Sequence, residues 1–131
     1  LHLPGAGVLD FKKDNETIDI KIPEEGMVLM PGVLYLGVTK EYTETRTLVP
    51  FIEGKSSVGR LGVKIHITAG RGDEGFCGYW TLEIEVVHPV RVYPGMKIGQ
   101  IFFFETGFVV NSYKDKKGAK YNNESNIKCI S

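Results

Sequence analysis

Residues 80–87 read WTLEIEVV, and the alternation in this stretch decides the fold class. In an extended chain, side chains two positions apart share a face. Trp80, Leu82, Ile84 and Val86 therefore form one apolar face, and Thr81, Glu83, Glu85 and Val87 the other. The same period recurs in residues 17–22 (TIDIKI) and 62–68 (GVKIHIT), and further short apolar runs cover residues 27–30, 33–38, 48–52, 90–93 and 98–105. No long segment repeats at the helical period of about 3.6 residues. Turn signals separate the runs: PEEG at 23–26, Pro31-Gly32, His88-Pro89 and Pro94-Gly95. Pro-Gly suits a type II turn, because Pro pre-sets the first central residue and Gly accepts the positive φ of the second. Many short strands at this spacing predict an all-β, antiparallel sandwich or jelly-roll-like barrel.

Two segments echo one another. MVLMPGVLYLG (27–37) and VRVYPGMKIGQ (90–100) both run strand, Pro-Gly corner, strand. The one helical candidate is residues 56–60, where Ser56 or Ser57 can cap and Gly62 can terminate. After Glu105 the pattern dissolves, and residues 111–131 are polar, Gly-, Asn- and Lys-rich. The expected organisation is a barrel domain over 1–110 and a flexible tail over 111–131.

Composition narrows the function. Sixteen Lys plus Arg balance 16 Asp plus Glu in 131 residues, so the net charge is zero. A duplex nucleic-acid binder normally shows a basic excess or stripe, and a membrane-spanning helix needs about 20 apolar residues in a row; neither is present. No signal peptide opens the chain. The two cysteines, Cys77 and Cys129, do not make a disulfide scaffold and fit a reducing, cytoplasmic setting. Three scattered histidines lack zinc-binding spacing. His66, between Ile65 and Ile67, reads as a satisfied half-buried strand histidine.

The densest polar stretch is residues 54–83, GKSSVGRLGVKIHITAGRGDEGFCGYWTLE. It gathers Lys55, Ser56, Ser57 and Arg60 with Asp73, Glu74 and Glu83. GKSS lacks P-loop spacing and reads first as an ordinary polar loop, yet a turn with two hydroxyls beside a Lys and an Arg is a good physical host for phosphate. Glu83 interrupts an apolar strand. On a solvated face it is merely a surface charge; lining a pocket, it suits general acid–base work.

These residues resemble the dCTP deaminases of the dUTPase-like superfamily. The signature (R/K)SSxxRxG, then HxTA, then DxG(F/W)xGxxxLE is met in order, VRVYPGMKIGQIFFFE is similar to the strand pair that follows, and Tyr113 with Lys120-Tyr121 matches the closing Y…AKY. The resemblance implies a distorted, dUTPase-like antiparallel β-barrel with one short helix and a C-terminal lid. It also implies a homotrimer with intersubunit active sites, and hydrolytic deamination of dCTP to dUTP and ammonia without zinc. Glu83 matches the catalytic glutamate, and Ser56 and Arg60 the groups holding the attacking water and the charge on the ring. Ala69, with Thr68, would orient water and base through the backbone. Asp73 and Phe76 match the sugar-binding loop. Val58, Gly59, Thr81 and Leu82 fall in the substrate-binding blocks. Lys55, Ser57, Tyr113, Lys120 and Glu124 match triphosphate contacts, with Mg2+ bridging the phosphates and no protein side chain ligating it. The expected partners are dCTP and dUTP, with dTTP as a candidate inhibitor, and neither nucleic acid nor membrane.

Two departures stand out: Lys55 replaces the family's usual arginine, and Glu124 its usual glutamine. The family's N-terminal PxSxD-like stretch is not seen before Leu1, so the chain reads as a fragment lacking that segment, or as a divergent member. The resemblance leaves two other functions open. Asp73 and Glu83 together permit a bifunctional deaminase–diphosphatase, or a plain dUTPase, giving dUMP and pyrophosphate. A non-catalytic nucleotide-binding module on the same barrel is the third.

Overall fold

The computed structural model describes residues 1–4, 7–68 and 70–105, with the backbone alone for residues 2–4. The chain runs β1 (His2–Pro4), β2 (Thr17–Asp19), β3 (Met27–Leu29), β4 (Tyr35–Val38), β5 (Thr43–Glu44), β6 (Val49–Gly54), α1 (Ser56–Gly59), β7 (Val63–Lys64), β8 (Cys77–Gly78), β9 (Thr81–Val86), β10 (Val90–Val92) and β11 (Gly99–Phe104). The fold is all-β with one short helix, as the alternation predicted. One five-stranded sheet has the order β2-β1-β4-β9-β7, and β10 pairs with β3, β11 with β6, and β5 with β8. Every ladder is antiparallel. Among the described strands, only β1 and β2 are neighbours both in sequence and in a sheet. The remaining pairs join distant segments, which is how a jelly-roll-like barrel closes on itself.

The predicted inward face of β9 is the centre of the core. Trp80, Leu82, Ile84 and Val86 are all at most 9% exposed, and they pack with Leu29, Tyr35, Ile52, Val58, Val63, Ile65, Phe76, Val90 and Val92. A strand in the middle of a sheet can bury one full face only if its period is two. The two echoed segments turn out to be partners: Val90, Arg91 and Val92 lie opposite Leu29, Val28 and Met27. Their Pro-Gly corners carry positive φ at Gly32 (81°) and Gly95 (73°), as a type II turn requires.

Two local expectations are corrected. Neither Ser56 nor Ser57 caps the helix; Lys55 is the N-cap, extended at φ −87° and ψ 143°, and no side chain caps α1. The serines sit inside the first turn, while the Lys55 carbonyl accepts the N–H groups of Val58 (3.0 Å) and Gly59 (2.8 Å). The alternating run 62–68 also pairs for only two residues, Val63 and Lys64. Beyond them the backbone N–H groups of Ile67 and Thr68 turn to a side chain instead of a neighbouring strand. The boundary at 110/111 and the tail lie outside the described residues.

Candidate active site

That side chain is Glu83. Its position on the outward face of β9, opposite Leu36 of β4, follows from the alternation, and the residue is half-buried. Its backbone N–H donates to the Ile65 carbonyl at 2.9 Å. The carboxylate oxygen Oε1 then accepts three donors from the next residues of the same segment: Ile67 N–H at 3.2 Å, Thr68 N–H at 3.4 Å and Thr68 Oγ1 at 3.1 Å. Thr68 is itself anchored, because its carbonyl lies 2.8 Å from His66 Nδ1. His66 is thus satisfied and half-buried, as expected, although it lies just past β7 rather than in it.

Glycine makes this arrangement possible. The Gly70 carbonyl accepts the Ile52 N–H at 2.8 Å, and a Cβ on Gly70 would collide with the Ile52 carbonyl oxygen and press within 3.1 Å of His66 Nε2. Only a residue without a side chain lets the 66–70 segment lie this close to β6. One strand away, Lys64 Nζ meets Glu85 Oε1 at 2.9 Å, so the next carboxylate on this face has its own cation.

The remaining predicted residues divide by element. Ser56 and Ser57 are exposed in α1, Arg60 is exposed at its C-cap, and Val58 is buried beneath. Among the described residues, no hydrogen bond joins Glu83 to Ser56 or Arg60. Asp73 begins a tight turn in which its carbonyl accepts Phe76 N–H at 3.0 Å and Gly75 takes φ 73°. Phe76 is buried, edge-on to Trp80 with centroids 5.2 Å apart, and Leu82 is buried as well. Val58, Phe76 and Leu82 thus belong to the core, whereas Thr68, Asp73 and Glu83 lie at or near the surface, as does Thr81, half-buried on β9. Ala69, Tyr113, Lys120 and Glu124 lie outside the described residues.

A cavity of about 400 Å³ opens on the other side of β9. Lys55 and Leu82 line it, together with Trp80, Ile98, Lys40 and Lys97. Glu83 does not. Nothing in the hydrophobic pattern marked Lys40 or Lys97, and only the return of residues 95–101 beside Lys55 brings them there. Elsewhere, desolvation, then a hydrogen bond with Cys77 and nearby Glu44, pushes the Tyr42 phenol up to about 12. It carries no charge near neutral pH. Among the described residues no group of three or more His, Cys, Asp or Glu side chains could hold a metal ion. No helix there is long and apolar enough to cross a membrane.

Comparison with known proteins identifies the family. A family model described as dCTP deaminase-like matches residues 1–106. A protein of Leptospira biflexa named "dCTP deaminase, dUMP-forming" is 58% identical over 109 residues, covering 83% of this chain and 63% of that protein. Proteins of the same name from Clostridium acetobutylicum and Cytophaga hutchinsonii are 55% and 53% identical, over 92% and 91% of this chain and 68% and 67% of theirs. The chain therefore spans about two thirds of the length of these relatives. With the match running through every described strand, the chain belongs to the dCTP deaminase-like family.

Proposed function

We propose that this protein removes the exocyclic amino group of dCTP by hydrolysis, with Glu83 as the proton carrier. The observation behind this reading is the carboxylate itself. It stands on the outward face of a strand whose other face builds the core, held at one oxygen by three donors. A fixed carboxylate serves both halves of the reaction. It takes a proton from the water that attacks C4 and passes it to N3 as the tetrahedral centre forms. It then takes the proton of the new C4 hydroxyl and delivers it to the amino group, which leaves as ammonia while the C4 carbonyl forms. One carboxylate can do this without zinc. Ser56 and Arg60 are assigned to the water and to the charge that builds on the ring, where fixed donors lower the barrier most. Since neither bonds to Glu83 within one chain, a second copy is assigned to supply them, as in a homotrimer.

We assign Mg2+ to the nucleotide phosphates; among the described residues no group of three or more His, Cys, Asp or Glu side chains could hold it. It would neutralise phosphate charge beside Lys55, Ser57 and the tail residues Tyr113, Lys120 and Glu124. Removing residues 111–131 should therefore raise KM for dCTP, and an unchanged KM would free the tail from this role.

The product is where the relatives refine the expectation from sequence. Release of dUTP is the simplest outcome, but these relatives are named dUMP-forming. That favours a second hydrolysis, of dUTP to dUMP and pyrophosphate, for which the Asp73 turn supplies a carboxylate. Turnover of dCTP and dUTP with Mg2+, products separated, decides between them: dUMP from both substrates supports the two-step course, and dUTP accumulating from dCTP limits the chain to deamination. Nucleotide binding without turnover would leave only a binding module.

A further inference from the structure

The two oxygens of Glu83 are not equivalent. Oε1 accepts Ile67 N–H, Thr68 N–H and Thr68 Oγ1, at 3.2, 3.4 and 3.1 Å, while no donor among the described residues reaches Oε2. An oxygen that already accepts three hydrogen bonds has no lone pair well placed for a proton, and protonating it would set O–H against N–H and O–H donors. The unbonded oxygen meets no such conflict.

We propose that Oε1 is the fixed oxygen and Oε2 the one that carries the proton, with the Thr68 hydroxyl as the positioning residue that makes the distinction. This rests on the reading of Glu83 given above and adds a division of labour within one carboxylate. The two backbone donors come from consecutive peptide units, and the Thr68 hydroxyl adds a third bond to the same oxygen, so that rotating the carboxylate about its terminal bond would break all three. The Thr68 carbonyl is in turn held by His66 Nδ1 at 2.8 Å, so the hydroxyl is presented from a braced residue. A misplaced carboxylate costs rate rather than binding, because the group acts on the reacting atoms and holds little of the nucleotide.

The test compares Thr68→Val, which keeps the shape and removes the hydroxyl, with Thr68→Ser, which keeps the hydroxyl and removes a methyl. Both are measured in the complete protein for kcat and KM with dCTP, and for Tm. Thr68→Val should lower kcat about 10- to 100-fold, the equivalent of one hydrogen bond to a charged group, with KM within about threefold and Tm close to the parent. Thr68→Ser should recover most of that loss. A Thr68→Val protein with parental kcat would overturn the proposal, as would a Ser variant as slow as the Val one. If Thr68→Val is too unstable to assay, the Ser variant decides alone: a large loss with the hydroxyl retained overturns the assignment, and near-parental kcat supports it. Glu83→Gln run alongside separates the two levels. Activity surviving that change removes the role of Glu83 itself, whereas its loss together with a parental Thr68→Val removes only the division between the oxygens.

Discussion

At the scale of single residues, the site depends on a carboxylate that the strand pattern places outward and the local backbone then captures. Glu83 and Glu85 share a face, yet Glu85 is neutralised by Lys64 while Glu83 is held only by neutral donors. Charge not cancelled by a cation remains available for proton transfer. Glu83→Gln keeps the size and can still accept at Oε1, so dCTP binding should survive while deamination falls by at least about 100-fold, the lower end of what positioned acid–base groups contribute. Equilibrium binding of dCTP beside single-turnover product formation checks both halves; substantial residual deamination would remove Glu83 from the mechanism. The alternation placed Glu83 outward but did not separate it from Glu85 as a surface charge; its role as proton carrier came from the resemblance alone. The Thr68 grip was not legible, since nothing in a linear pattern says that residues 67–68 abandon the ladder to bond a side chain.

At the scale of elements, the outline of the strands was legible and their partners were not. Hydrophobic period located β3, β4, β6, β9, β10 and β11 to within a few residues, most clearly β9, which alternates buried and half-buried along its whole length. It passed over β5 and β8, which are two residues each and carry Thr-Glu and Cys-Gly, too short to show a period. The pairing of β3 with β10 or β6 with β11 is set by closure of the whole barrel, which no local window contains. The helix N-cap was misplaced because a serine beside a turn is the common capping signal. Here Lys55 is already extended and supplies a carbonyl instead. Gly70 ties these elements to the site. Gly70→Ala should push the 66–70 segment off β6 and cost about 1–3 kcal/mol, the usual range for overpacking. Chemical denaturation gives the stability, and the same protein should lose kcat through displaced Thr68. An alanine variant as stable and as active as the parent would show that β6 and residues 66–70 separate without consequence.

At the scale of the whole molecule, among the described residues, the two groups of predicted site residues do not bond to each other within one chain. Glu83 is held by residues 67–68, and Ser56 and Arg60 are exposed on and beside α1. The β6–β11 ladder also leaves an aromatic face: Phe51 lies opposite Phe102, its ring 5.6 Å from Phe104, and Phe102 and Phe104 are 40% and 53% exposed. Exposed aromatic rings on a regular ladder are suited to burial against another copy. If three copies form a ring in which each site takes Glu83 from one and Arg60 from the next, two inactive variants should complement. Glu83→Gln and Arg60→Ala, each inactive alone, are unfolded together in equal amounts and refolded. Half of the subunits keep Glu83 and half keep Arg60, so random assembly leaves about a quarter of the sites intact. Recovered deamination near a quarter of the parental rate establishes sites shared between copies. No recovery, with mixed trimers present by mass, places both groups in one chain. Repeating the mixture on a Phe102→Lys background should abolish the recovery, because a charge buried between aromatic rings opposes assembly. Undiminished complementation there would locate the contact between copies on a different face of the barrel.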